Sequence, residues 1–145
     1  MNVLYTAEAL ATGDGRSGHT RSSDGVLDLD LAVPVELGGK GGATNPEQLF
    51  AAGYAACFHN ALRRAAREYN VDTEGSQVTS RVGLGPTGNG TFGITVSMAV
   101  VLPRADQATA EQVLARGDAI CPYSNAIRGN VEIALSIVGE SEAAA

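Results

Sequence analysis

Apolar positions recur along this chain with two different periods. Over residues 2–11, Val3, Tyr5 and Ala7 alternate with polar or small neighbours, which predicts a first strand. Leu27, Leu29 and Leu31 point one way while Asp28 and Asp30 point the other. Asp24-Gly25 sits between two such short runs, which is a hairpin signal. Ile94, Val96, Met98 and Val100 repeat the alternation, so residues 76–84 and 91–102 read as paired strands around a turn at 86–90, and 130–139 as a last strand. The strongest helical stretch runs from Pro46 to about Tyr69. Asn45 suits its N-cap, Pro46 the first helical position, and Glu47 the positive N-terminal end. Leu49, Gly53, Cys57 and Ala61 recur at i+4, and the first two-thirds is almost all apolar or small. Such a helix is expected to be buried nearly all round, emerging into water only at Arg63, Arg64, Arg67 and Glu68. A second helix is expected over 105–120, then a short helical turn from Cys121-Pro122. Glycine marks loops at 12–19 and 37–44, and residues 140–145 read as a frayed tail. Hairpins, a helix, then strands again amount to an α+β fold in which sheet wraps a long buried helix.

The chain has 145 residues, the size of one domain, so residues 1–145 are read as a single unit. Its net charge of −6 and pI near 4.8 disfavour nucleic acid and an anionic membrane surface as partners. No apolar run reaches the ~18 residues needed to cross a bilayer. The first residues lack the basic start and continuous apolar stretch of a secretory signal, which points to the cytoplasm. In that compartment two cysteines make a poor permanent staple, and zinc-ligand spacings are absent, so no metal is expected. LGGKGGAT at 37–44 lacks the ending of a phosphate loop.

If Cys57 and Cys121 do chemistry, it is thiol chemistry. Cys57 lies mid-helix on an apolar face, where a small core residue is the first reading, and burial there opposes a thiolate. A reactive thiolate would need a cation brought from elsewhere. Arg16 in GDGRSG is the obvious candidate, although loop arginines are commonly just solvated. Cys121 precedes Pro122 at a helix start, where backbone N–H groups favour negative charge. His59 lies two residues beyond Cys57, ~200° round the helix, and is no base for it. His19 reads as a solvent-facing loop residue. On residues alone, a small-molecule or lipid-binding module with inert thiols, or an interaction protein with an apolar surface patch, stays open beside thiol chemistry.

The runs ATNPEQLFAAGYAACF (43–58) and CPYSNAIRGN (121–130) closely resemble the organic hydroperoxide resistance branch of the OsmC/Ohr family. LYTAEALATGDGR (4–16), SSDGVLDLDLAVPVELGGKGG (22–42) and NVEIALSIV (130–138) extend the resemblance over nearly the whole chain. It implies a fold of two antiparallel β-sheets wrapped around long central helices in an intertwined homodimer. It also implies a thiol-dependent peroxidase of oxidative stress defence that needs no cofactor. The enzyme would reduce organic (alkyl or lipid) hydroperoxides and be recycled by a dithiol such as dihydrolipoamide or a lipoyl protein. Residue by residue, Cys57 matches the peroxidatic and Cys121 the resolving cysteine, Glu47 the glutamate of NPEQ, and Arg16 the arginine of a G-R-x-G loop. TGDGRSG holds one residue more than the usual TGGRxG, which keeps Arg21 in play, and His59 replaces a usually apolar residue. Under this reading Leu49, Phe50, Tyr54 and Phe58 floor an apolar substrate pocket, and Glu47 holds the guanidinium by a bidentate pair. Ten residues, about 15 Å of helix, separate Glu47 from Cys57. Either the helix breaks near Gly53, or the carboxylate serves the partner subunit's site.

Overall fold

Short polar strands organise the first of two units into which the chain divides, Met1–Leu49 and Phe50 onward. In this computed structural model, which describes residues 1–143, β1 (Ala9–Thr12), β2 (His19–Ser22) and β3 (Asp28–Asp30) form an antiparallel sheet in that order. The hairpin expected at Asp24-Gly25 is present. Asp24 accepts hydrogen bonds from the Ser22 hydroxyl and the Val26 N–H, and Gly25 takes φ +73°. Of the strand expected over 2–11, only Ala9–Thr12 forms. The Ser23 N–H still reaches the Glu8 carbonyl, but the chain then turns at Asp24-Gly25, so residues 1–7 have no neighbouring strand to pair with and lie exposed. The glycine loop is closed by hydrogen bonds from the Ala32 N–H to the Thr44 carbonyl and from the Gly41 N–H to the Val33 carbonyl.

Helix α1 (Pro46–Glu68) begins as expected, the Asn45 side chain accepting from the Gln48 N–H at 2.9 Å. Its burial differs from expectation. Tyr54, Phe58, Ala61, Leu62, Ala65 and Ala66 are buried, whereas Ala52, Ala56 and Asn60 are exposed well before the arginines. Small side chains suit burial, yet in this chain they also form a bare face.

Beyond α1 come β4 (Gln77–Pro86), β5 (Phe92–Val101), α2 (Gln107–Ile120), α3 (Pro122–Ile127), β6 (Ile133–Ile137) and α4 (Glu140–Ala143). The sheet order is β4-β5-β6. β4 and β5 pair antiparallel as a long hairpin, but β6 runs parallel to β5, correcting the expectation that both sheets are antiparallel throughout. The reason is the connection: α2 and α3 carry the chain across before it re-enters the sheet, and such a crossover returns a strand in the same direction. Val96, Met98 and Val100 on the alternating face of β5 pack with Tyr54, Phe58 and Leu62 of α1 and Ala110, Val113 and Leu114 of α2. Each large side chain buried there contributes roughly 1.5–3 kcal/mol. Gly117 lets α2 approach α1 closely, since a Cβ there would lie 3.3 Å from the Leu62 Cα. The tail expected to fray instead forms α4 over Glu140–Ala143, where the Glu142 carboxylate accepts from the Gly139 N–H. Residues 144–145 lie outside the described residues. No described helix is long and apolar enough to cross a membrane.

Candidate active site

The residues singled out by sequence fall into two constellations, one in each unit. In the first unit, Arg16 rides on a single 3-10 turn, Gly15–Ser17. The loop is pinched shut behind it: a Cβ on Gly18 would sit 2.0 Å from the Thr12 carbonyl oxygen, so only glycine fits. The Arg16 Nη2 donates to Glu47 Oε2 in the first turn of α1. One nitrogen and one oxygen meet, so the pair is not the bidentate fork expected. Arg21, the other candidate, lies on β2 with its Nε 3.6 Å from Asp28. The arginine that finds Glu47 is thus Arg16, extra loop residue notwithstanding. Glu47 is the less exposed partner, at 17% against 40% for the Arg16 side chain.

His19 is placed on β2 rather than in a mobile loop. Its Nε2 lies 2.7 Å from Asp28 and its Nδ1 2.9 Å from Asp30. Two carboxylate acceptors are both satisfied only by the doubly protonated ring, and its pKa is raised accordingly, first by the Asp30 hydrogen bond.

In the second unit the two thiols meet. Cys57 on α1 is half-buried, Cys121 is fully buried at the N-cap of α3, and their sulfurs stand 3.8 Å apart, both free. Burial pushes the Cys57 thiol above its ordinary pKa, while a hydrogen bond from the Tyr123 backbone N–H pulls it down. Burial is the larger effect. Among the described residues of this unit, no cation contributes to the Cys57 shift, so the counter-charge of a ready nucleophile is not supplied there.

The expected pocket residues separate. Tyr54 and Phe58 are wholly inaccessible core residues, not a pocket floor, because α1 turns that face onto β5 and α2. Phe50 is only partly buried, and Leu49 is half-buried in the first unit. Sequence reasoning missed Tyr123, whose ring lies against Phe50 and Tyr54 at centroid distances of 6.4 and 5.7 Å and faces Gly53. It also missed Ser124, buried and hydrogen-bonded to the Tyr54 hydroxyl at 2.8 Å. The available signal was position: both occupy the first turn after Cys121-Pro122. His59 hydrogen-bonds Ser76 at 2.9 Å and is held neutral, its pKa lowered by burial and then by Arg63.

Comparisons with known proteins agree with one another. The model of the OsmC-like protein family matches residues 39–136. The organic hydroperoxide resistance protein of Xanthomonas axonopodis pv. citri is 47% identical over 93% of this chain and 95% of its own length. OhrB of Bacillus subtilis, an organic hydroperoxide resistance protein, is 43% identical over 93% and 98%. Among solved structures, an organic hydroperoxide resistance protein from Legionella pneumophila superposes with a TM-score of 0.90 at 49% identity, covering 95% of this chain and all of that one.

Proposed function

Since the chain belongs to the OsmC-like family, we propose that it is a thiol peroxidase that reduces organic hydroperoxides in oxidative stress defence, working as one domain in the cytoplasm. The observation that carries this reading is the pair of free thiols 3.8 Å apart, one accessible and one buried. The Cys57 thiolate attacks the peroxide O–O bond, which breaks. One oxygen stays on sulfur as the sulfenic acid, and the alkoxide takes a proton and leaves as the alcohol. Cys121 then attacks the Cys57 sulfur. The S–O bond breaks, the Cys121 proton leaves with the hydroxyl as water, and a disulfide forms. The sulfurs must close by about 1.8 Å to reach the ~2.05 Å bond length. An external dithiol, such as a lipoyl group, resets the pair by exchange.

Arg16, steadied by Glu47, supplies the positive charge that a desolvated Cys57 thiolate requires. The protein acts as a homodimer in which this charge pair serves the partner's Cys57. Two observations support that assignment. Helix α1 runs unbroken past Gly53, which supports the partner arrangement over a broken helix. The first unit also exposes Val3, Leu4, Tyr5, Leu10, Val26 and Val35, all more than 60% accessible, which is apolar surface suited to a second copy. Phe50 and the exposed face of Tyr123 favour an alkyl substrate over hydrogen peroxide.

Counting free thiols before and after one equivalent of an alkyl hydroperoxide tests the reading. Loss of two thiols per chain is expected. Two unreacted thiols and undiminished peroxide would leave a binding module instead.

A further inference from the structure

The wholly buried hydroxyl pair Tyr54–Ser124 has no part in the reaction just described. Its placement is specific. Tyr54 stands three residues before Cys57 on α1, one turn away on the same side of the helix. Ser124 stands three residues after Cys121, in the first turn of the helix that Cys121 caps; the Cys121 carbonyl accepts from the Asn125 N–H at 3.0 Å, so the two are rigidly related. The Tyr54–Ser124 hydrogen bond at 2.8 Å and the Cys57–Cys121 approach at 3.8 Å are therefore two neighbouring rungs between the same two segments. Between them the Tyr123 backbone N–H reaches Cys57 and the Tyr123 ring covers Gly53.

Apolar packing alone tolerates small sliding, whereas a buried hydrogen bond with both partners satisfied specifies direction and distance. Helix α3 is only six residues long and has no side-chain N-cap. Helix α2 holds the Cys121 backbone through its N–H bond to the Gly117 carbonyl at 2.9 Å, but α2 does not tie the start of α3 to α1 at Tyr54. Its far end is tied separately, Arg128 bonding the Asp118 carboxylate at 2.9 Å and the Asp118 carbonyl at 3.0 Å.

We propose that Tyr54 and Ser124 are positioning residues for the resolving step: their hydrogen bond holds the start of α3 on α1 so that Cys121 waits within reach of the Cys57 sulfur. This rests on the peroxidase reading for its biological meaning, but the latch itself is a statement about two thiols and is testable without peroxide.

The experiment measures disulfide closure in Tyr54→Phe, Ser124→Ala and the double variant by two routes. In the first, the reduced protein is oxidised with diamide and free thiols are counted over time. In the second, a single equivalent of alkyl hydroperoxide is added, and the Cys57 sulfenic acid is trapped with a 1,3-dicarbonyl reagent at intervals. The latch predicts that each single variant closes the disulfide at least tenfold more slowly by both routes. Peroxide consumption in the first turnover should stay within twofold of the parent protein, and trapped sulfenic acid should accumulate. The double variant should be no slower than either single one, because the two residues act as one unit. It also leaves no orphaned hydroxyl, so it remains informative where a single variant folds poorly. Closure within twofold of the parent by both routes overturns the latch, as does an equal slowing of peroxide consumption and closure. A parent protein that closes its disulfide with diamide but ignores hydroperoxide overturns the peroxidase reading while leaving the latch to be judged by the first route.

Discussion

The two units of this chain are built on opposite terms. Residues 1–49 carry ion pairs, glycine turns and short polar strands. Among the described residues, Leu31 is the one hydrophobic side chain of this unit that is buried. Residues from Phe50 onward enclose a continuous core of three elements with Cys121 inside it. The charged member of the proposed chemistry, Arg16, belongs to the first unit, and the sulfur belongs to the second. Physical chemistry explains the division. A guanidinium inside the core would carry a heavy desolvation cost, and a thiol in the hydrated loop would lack the orienting walls of a helix pair. Each group is made where it is least costly to hold, and the proposed reaction draws on both.

The largest expected effect breaks the sulfur side. Cys57→Ser should abolish peroxide turnover. Cys121→Ser should still consume about one equivalent per chain and then stop, since only resolution is lost. Equal single-turnover loss in both variants, followed by peroxide assay, would contradict the division of roles.

Complementation sharpens the pairing of units across the dimer. Glu47→Ala chains mixed with Cys57→Ser chains should recover about a quarter of parental activity: half of randomly paired dimers are mixed, each with one intact site of two. Activity that stays at the level of the separate variants would mean that each chain completes its own site.

A smaller loss is expected from the charge side. Arg16→Ala should slow alkylation of Cys57 by iodoacetamide near neutral pH by roughly tenfold, equivalent to about one unit of thiol pKa. The midpoint of the pH–rate curve should move upward, because burial already raises this thiol and the variant removes its counter-charge. Arg21→Ala, altering a residue paired with Asp28, should leave the curve in place. The reverse ranking of the two variants would reassign the active-site arginine.

The smallest effect contrasts the histidines. His59 has a folded pKa below its ordinary 6.5, so it contributes stability above that value, and this is lost as pH falls from about 6.5 through the folded pKa. His19 is shifted the other way: its contribution is present below 6.5 and is lost as pH rises through its raised folded pKa. Urea denaturation across pH 5 to 8 should show His59→Gln flattening the acid side and His19→Gln the neutral side. Parallel profiles for both variants and the parent would rule this out.

What the sequence made legible was local. Asn45 and Pro46 announce the start of α1, Asp24-Gly25 announces a turn, and the alternation through Ile94, Val96, Met98 and Val100 announces β5, because each signal lies within a few residues of its effect. The parallel course of β6 was not legible, since it depends on where a crossover of two helices returns the chain. The shortened first strand depends on a neighbour that ends at Ser22. The burial of Tyr54 and Phe58 against β5 and α2 was not legible, because an aromatic on an apolar helix face looks the same whether it meets a substrate or a sheet. The Tyr54–Ser124 contact joins positions 70 residues apart, and neither residue carries a signal of the other. The motif wording located Cys57, Cys121, Arg16 and Glu47, but the structure alone relates them in pairs.

In the proposed reaction, the complete burial of Cys121 beside a half-buried Cys57 would also set the direction of repair. Once the two sulfurs are joined, only one end of the bond faces the outside. An incoming thiolate would therefore strike Cys57, the mixed disulfide would form on that residue, and Cys121 would be the sulfur set free within the protein. A reductant with a single bulky thiol then remains attached at the rim, awaiting a second molecule. One carrying two thiols on a slender arm would release itself by its own ring closure, so under the proposed function the depth of one side chain would favour dithiols over monothiols.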